Sequence, residues 1–332
     1  MNIKVAITTG DINGIGTEII LKTLSNIDLI HATPVILGSS ELIEYYDQRI
    51  QSNLDLELIS SAEQIKIGKV NLLECVKIGR QDIEPGKITE ISGAASMKSV
   101  EEGIRLCLEG LTDALVTAPI SKEAVNLAGY SIPGHTEFLA EKTGTDRVLM
   151  MLVNESFRLG LATIHIPVSR IHEQLSKQRI VQTVGMMDRS LREDFGIENP
   201  EIAVLGLNPH AGDGGVIGDE EIEVIGPAIE KARENDLNIE GPFPADGFFG
   251  NRKYRQFHGV IAMYHDQGLI PFKTISFGKG VNFTAGLPFV RTSPDHGTAF
   301  DIAGENKANP ASFREALQLA GELSKNRKEH RL

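Results

Sequence analysis

An α/β protein of two domains is what this sequence predicts, and three observations carry that expectation. The chain has 332 residues, more than one hydrophobic core usually covers and enough for two modest domains. Short runs rich in Val, Ile and Leu alternate with longer stretches whose apolar residues recur at helical spacing. Several of the apolar runs pass straight into Gly, Pro or polar residues, as strands do where a sheet delivers its functional loops.

The strand-like runs are Val5 to Thr8, Pro34 to Gly38, Ala114 to Thr117, Val148 to Val153, Leu159 to His165, Ile202 to Leu207 and Val260 to Tyr264. Helical spacing puts Val100, Ile104, Cys107, Leu108 and Leu111 on one apolar face, and Ile180, Val184, Met187 and Leu191 on another. Gly110 and Gly196 stand near the ends of those helices, where a left-handed cap is often needed. A last helix is expected to open with Asn309 as cap and Pro310 at its first position, burying Phe313, Ala316, Leu317, Ala320 and Leu323. No internal repeat, low-complexity tract or Pro/Ser-rich linker marks a domain boundary.

Composition narrows the function. With 41% hydrophobic and 23% charged residues, the chain is ordinary globular protein, and no apolar stretch approaches the roughly 20 residues that span a bilayer. Met1 leads directly into strand-like sequence with no export-signal pattern. A soluble, cytoplasmic protein is expected. Cys75 and Cys107 offer neither a disulfide framework nor a thiolate metal cluster, so both are expected to be buried thiols. A formal charge of −12, with the only basic cluster at Lys325 to Arg331, gives the wrong field for nucleic acid. Neither nucleic acid nor membrane is an expected partner. Any anion site must be local and built from a few convergent positive groups.

Three histidines end or closely follow strand-like runs and open polar loops: His165 in GLATIHIPVS, His210 in VLGLNPHAGDGG and His265 in VIAMYHDQG. Strand ends converge on the ligand crevice of an α/β sheet, so three imidazoles could meet there and hold an open catalytic metal. Each could equally cap its own strand end. Lys273, Asn282 and Arg291 follow the third histidine in a Gly-rich stretch suited to a phosphate or carboxylate, or simply to a solvated loop. Pro133, Gly134, His135, Thr136 and Glu137 read as a helix start that offers N–H groups to an anion, or as a plain cap by Thr136. Gly10, Gly14 and Gly16 sit between a strand and a helix, but their spacing is G-x-x-x-G-x-G and fails the dinucleotide fingerprint. His172 and Glu173 form no H-E-x-x-H motif, because position 176 is Ser.

GHTEF, LNPHAGDGG, MYHDQGL, GVNFTAGLPFVRTSPDHGTA and the opening glycine loop together resemble, in order and separation, the signature segments of the 4-hydroxythreonine-4-phosphate dehydrogenase family. The resemblance implies a two-domain isocitrate/isopropylmalate-dehydrogenase-like fold with a cleft between domains, a class that lacks the Rossmann fingerprint. Residues 1–130 plus 300–332 would form the first α/β domain, and 131–299 a second that carries metal ligands and a dimer interface. It further implies His165, His210 and His265 as ligands of one divalent metal (Zn, Mg, Co or Mn), and His135, Thr136, Lys273, Asn282 and Arg291 as substrate contacts. The run from Asp295 to Pro310 is similar to the cofactor loop of those dehydrogenases, so Asp295, His296, Gly297 and Asp301 are candidates to face NAD or NADP; otherwise the run is a packing turn. Two departures stand out: the opening loop reads GDINGIGTE where the family commonly has G-E-P-A-G-I-G-P-E, and Ala118 replaces the glycine of T-G-P.

The activity so implied is metal-dependent oxidative decarboxylation of a small phosphorylated hydroxy acid, 4-hydroxythreonine 4-phosphate, in vitamin B6 synthesis. Asp246 and Lys122 are the candidates for general base. The resemblance also implies a homodimer with active sites completed across the subunit interface, and the apolar run Leu149 to Leu152 would line either that interface or a buried strand. Two alternatives remain open: a dehydrogenase of erythronate or threonate 4-phosphate, and a phosphate acyltransferase on the same architecture.

Overall fold

The computed structural model describes residues 2–25, 32–132 and 134–330. Met1, Pro133 and Arg331, named above, lie outside the described residues. The chain divides into two compact units, Met1–Arg147 with Leu287–Lys328, and Val148–Gly286 with Glu329–Leu332. These divisions differ from the expected ones near residues 130 and 300. Helix His135–Thr143 packs on helix Glu90–Leu108, and strand Val290–Pro294 pairs with strand Ala114–Thr117, which draws both segments into the first unit.

The first unit begins with β1 (Ile3–Thr8), β2 (Ala32–Gly38), β3 (Leu56–Ile59), β4 (Val70–Glu74) and β5 (Ala114–Thr117). The second holds β6 (Leu149–Val153), β7 (Arg158–Leu161), β8 (Ile202–Leu205), β9 (Ile239–Phe243), β10 (Gly259–Ala262) and β11 (Val281–Ala285), after which β12 (Val290–Pro294) returns to the first. The α/β class expected from the sequence is borne out.

In the first unit the strands run β3-β4-β2-β1-β5-β12, each paired neighbour parallel. Parallel neighbours need crossovers, and helix Gly16–Leu24 supplies the one between β1 and β2, while helix Glu90–Leu108 lies on the longer connection that carries the chain from β4 past β2 and β1 to β5. Helices on such a sheet bury strands on both faces, which is why Val35, Ile36 and Leu37 form a continuous buried run. Thr89 opens helix Glu90–Leu108 by accepting from Ser92 N at 3.1 Å, ten residues ahead of the apolar face read from sequence. Gly110 and Gly196 do adopt left-handed conformations, with φ of 70° and 66°. The last helix spans Ala311–His330, starting just past Pro310, with Asn309 Oδ1 accepting from Ala311 N at 3.0 Å; its five expected core residues are buried.

In the second unit the order is β11-β6-β7-β10-β8-β9. Strands β7, β10, β8 and β9 are parallel, while β6 runs antiparallel to both of its neighbours. Leu149, Met151 and Leu152 are therefore buried between β11 and β7 and are not free to line a subunit interface. Phe157 anchors this core, its ring 4.8 Å from that of Tyr254 and 5.6 Å from that of Phe272. Cys107 is buried and Cys75 half-buried, against the expectation that both would be enclosed; burial pushes each thiol up to about 12, which leaves them inert. No helix among the described residues is long and apolar enough to cross a membrane.

Candidate active site

In the first unit the candidate residues gather around a buried arginine. Arg291 lies on β12, paired through Leu115 with β5, and is only 2% exposed. Its Nη2 donates to Thr117 Oγ1 at 2.6 Å, two positions along the neighbouring strand on the same face. Burial lowers its pKa to about 10 and the Glu137 carboxylate opposes that shift, so the guanidinium stays charged at neutral pH. His135, at the first position of helix His135–Thr143, is held well below the usual histidine range, chiefly by burial and then by the charge of Arg291. It is a neutral imidazole whose enclosed Nε2 has no hydrogen-bond partner. An orphaned ring nitrogen beside a charged guanidinium suits an anionic, hydroxylated ligand. Thr136 is the helix's second residue, not its cap, because the cap position falls on Gly134. Lys122 is exposed at the start of helix Lys122–Leu127, with its Cε 4.0 Å and Glu137 Oε2 3.2 Å from where a Cβ on Gly134 would stand.

The opening glycine loop adds a group that the sequence reading passed over. Gly10 has φ of 66°, and a Cβ there would come within 2.4 Å of Pro119 O. Only glycine lets the end of β1 lie so close to the segment after β5. Asp11 follows, donating its N–H to Pro119 O and accepting from Asn13 N at 2.9 Å and Ser92 Oγ at 3.1 Å. Burial raises its pKa to about 6 despite those two bonds. The same loop meets the candidate cofactor segment: Ile15 N donates to Thr298 O at 3.0 Å. There His296 Nε2 is enclosed without a partner, Gly297 has nothing within 4 Å of where a Cβ would stand, and Asp301 is exposed. These features suit a bound dinucleotide. Asp295 is tied down instead, its backbone N–H donating to Ser312 Oγ at 3.0 Å.

In the second unit two of the three histidines meet. Thr163 donates to Met263 O through both N and Oγ1, at 3.1 and 2.7 Å, and so carries the β7/β10 pairing past the strand ends. Leu159 to His165 is thus a strand only to Leu161, continued by this looser pairing. Two residues beyond Thr163 and Met263 stand His165 and His265, their ring centroids 5.9 Å apart. His265 Nδ1 is hydrogen-bonded to Asp266 Oδ1 at 2.7 Å, which leaves Nε2 for a ligand.

His210 does not join them. It begins a left-handed run, His210 to Gly214, and is exposed. Among the described residues no group of three or more His, Cys, Asp or Glu is gathered to hold a metal ion. The imidazole pair fits part of a divalent cation's donor set, and the third expected donor stands apart. Two residues missed in the sequence shape these loops. Glu221 accepts from Leu207 N at 2.7 Å, Asn208 N at 2.8 Å and Asn208 Nδ2 at 2.9 Å, and its Oε2 lies 2.7 Å from where a Cβ on Gly212 would stand. Gln267 accepts from Met263 N at 2.7 Å and donates to Gly206 O at 2.6 Å, tying the end of β10 to that of β8. Lys273 is exposed on helix His265–Ser276, Asn282 sits on β11 with Oδ1 buried and unpartnered, and Asp246 is exposed on helix Ala245–Gly250.

The family model described as pyridoxal phosphate biosynthetic protein PdxA matches residues 30–320. The chain belongs to this family. It is 47% identical over 328 residues to a 4-hydroxythreonine-4-phosphate dehydrogenase of Prosthecochloris aestuarii, covering 96% of this chain and 97% of that one. A crystal structure of the Klebsiella pneumoniae 4-hydroxythreonine-4-phosphate dehydrogenase superposes with a TM-score of 0.87 at 38% identity, covering 98% of each chain. An Oceanobacillus iheyensis relative, provisionally named a D-threonate 4-phosphate dehydrogenase, is 37% identical over 324 residues, 96% of this chain and 97% of its own. Membership of the PdxA family makes this protein an oxidoreductase of the dehydrogenase class that uses a nicotinamide cofactor.

Asp11 sets a measurable pH dependence. Its native pKa is raised, so between about pH 4 and pH 6 the unfolded chain releases a proton that the folded chain keeps, and stability from this group falls as pH rises through that window. Asp11→Asn cannot titrate. In urea unfolding the wild type should lose, relative to Asp11→Asn, on the order of 3 kcal/mol across the window. Parallel pH profiles for the two proteins would show that Asp11 is not buried as described.

Proposed function

We propose that this protein oxidises 4-hydroxythreonine 4-phosphate with NAD or NADP and releases CO2, yielding 3-amino-2-oxopropyl phosphate for pyridoxal phosphate synthesis. The observation that carries this reading is near full-length identity of 47% to a relative bearing that activity's name. When bound, the nicotinamide supplies the hydride acceptor and a divalent cation supplies Lewis-acid polarisation of the alcohol and of the ketone that follows.

The chain's own residues bind and orient. In the first unit Arg291, charged and enclosed, is the group for an anionic end of the substrate, with Thr136 as a polar contact; in the second, Lys273 and Asn282 are the candidate substrate contacts. Neutral His135 offers its orphaned Nε2 as a hydrogen-bonding group without adding charge. His165 and His265 are the pair offered to a cation of zinc, magnesium, cobalt or manganese, with His210 the third candidate. Asp295, His296, Gly297 and Asp301 are the candidates for holding the dinucleotide. Of the two candidate bases, Lys122 is favoured by its place beside Gly134 and Glu137 over Asp246, which is exposed on helix Ala245–Gly250 of the second unit. A homodimer with shared sites belongs to this reading, and Val168, Val216, Ile270 and Phe277 are exposed apolar side chains of the second unit that a subunit contact would cover. The Oceanobacillus relative favours one second reading, a threonate or erythronate 4-phosphate as substrate.

A panel of the three phosphorylated acids, followed by nicotinamide absorbance, should give the highest kcat/KM with 4-hydroxythreonine 4-phosphate. Faster turnover of threonate or erythronate phosphate would move the assignment to the second reading. Arg291→Lys keeps a charge but loses the planar fork, so KM for the phosphorylated substrate should rise roughly tenfold or more; a dephosphorylated analogue losing as much would place Arg291 outside phosphate binding. His165→Ala and His265→Ala should each lower bound metal per subunit with the circular dichroism unchanged, and full activity after chelation would remove the metal from the reading. Sedimentation should show a dimer at micromolar concentration; an active monomer would eliminate shared sites.

A further inference from the structure

The segment that carries the cofactor candidates has little regular structure of its own. It contains one short 3-10 turn, Phe300–Ile302, and places two non-glycine residues, Ala299 and Asn306, in the left-handed region at φ of 43° and 58°. What holds it comes from helix Gly16–Leu24, nearly the whole chain away. Glu18 is fully buried, and its Oε1 accepts from Ala308 N and from Lys22 Nζ, each at 2.8 Å. Lys22 Nζ in turn donates to Asn306 O at 3.0 Å and Ala308 O at 2.9 Å. One ion pair therefore occupies three backbone groups of the segment's far end, while Ile15 N holds Thr298 O at its near end.

We propose that Glu18 and Lys22 are positioning residues for the dinucleotide: their clasp on residues 306–308 holds the 295–301 segment in its binding conformation. This rests on the reading that the segment faces the cofactor. A buried, paired charge is a geometric lock, because neither partner can leave without stranding the other. Freed carbonyls at 306 and 308 would let the left-handed residues relax, and the segment would have to be re-ordered on each binding event.

The test uses the full chain and titrates NADH, and separately NADPH, by fluorescence in the absence of turnover, alongside KM for the phosphorylated acid. Glu18→Gln should raise the dinucleotide Kd about tenfold, corresponding to roughly 1.4 kcal/mol, and leave KM for the acid within about twofold. Glu18→Gln combined with Lys22→Met leaves no uncompensated charge and should behave alike; should Glu18→Gln fail to fold, this pair carries the test. Asp301→Asn probes the underlying reading. If Asp301→Asn weakens the dinucleotide and the clasp variants do not, the positioning role is overturned and the reading stands. If Asp301→Asn has no effect, the reading itself fails. Equal weakening of dinucleotide and acid would make Glu18 a general support and overturn the inference.

Discussion

Arg291 takes a charge to a position 2% exposed, and a guanidinium so enclosed persists only where neighbouring groups replace the water it has lost. Its surroundings in the first unit follow from that requirement. Thr117 Oγ1 accepts one N–H, Glu137 supplies opposite charge, and His135 is kept neutral first by its burial and then by the charge of Arg291. The strand pairing of β12 with β5 brings Arg291 to Thr117, and helix His135–Thr143 adds His135 and Glu137, so the last parallel pairing of the sheet is one half of the candidate anion site's construction.

The parts of the fold visible in the sequence are those buried on both faces. The expected strand Ala114 to Thr117 matches β5 to the residue, and β2 and β10 match their apolar runs within two, because parallel strands under helices are written as continuous apolar runs. Strands β11 and β12 fall in a stretch that shows in the sequence only as Gly-rich, for the opposite reason. Asn282 and Thr284 interrupt one and Arg291, Thr292 and Ser293 the other, so no apolar run announces them. Strand β9 contains Gly241 and Pro242, residues that argue against a central strand, and it lies at the end of its sheet where a proline is tolerated.

The candidate site was legible to a similar degree. Histidines after strand-like runs pointed to His165 and His265, and parallel pairing that carries past the strand ends is what brings their rings together. His210 stands in a different setting, since five successive left-handed residues carry it away from its strand end and NPHAGDGG does not announce them. Glu221 was hidden inside DEEIEVI, which looks like a solvated acidic stretch until three hydrogen bonds from residues 207 and 208 are seen on its carboxylate. Glu18 and Lys22 show as an ordinary i, i+4 pair; only their bonds to residues 306 and 308 distinguish them from a surface contact.

A formal charge of −12 opposes the approach of a doubly charged phosphate ester, yet the opposition is long-range and the recognition is not. At physiological ionic strength exposed charges are screened within about 8 Å, so most of the 45 acidic residues act weakly on a ligand already seated. Arg291 acts from a medium of low dielectric, where the same charge counts for more and salt reaches least. The neutrality of His135 then has a consequence for selectivity. A protonated imidazole would strengthen attraction for any anion, whereas a neutral one rewards only a ligand that can complete the hydrogen bond at Nε2. In the proposed reading, charge from one residue and hydrogen-bonding geometry from its neighbour divide the work: Arg291 would draw in an anion, and His135 would select among hydroxylated anions by the bond at Nε2.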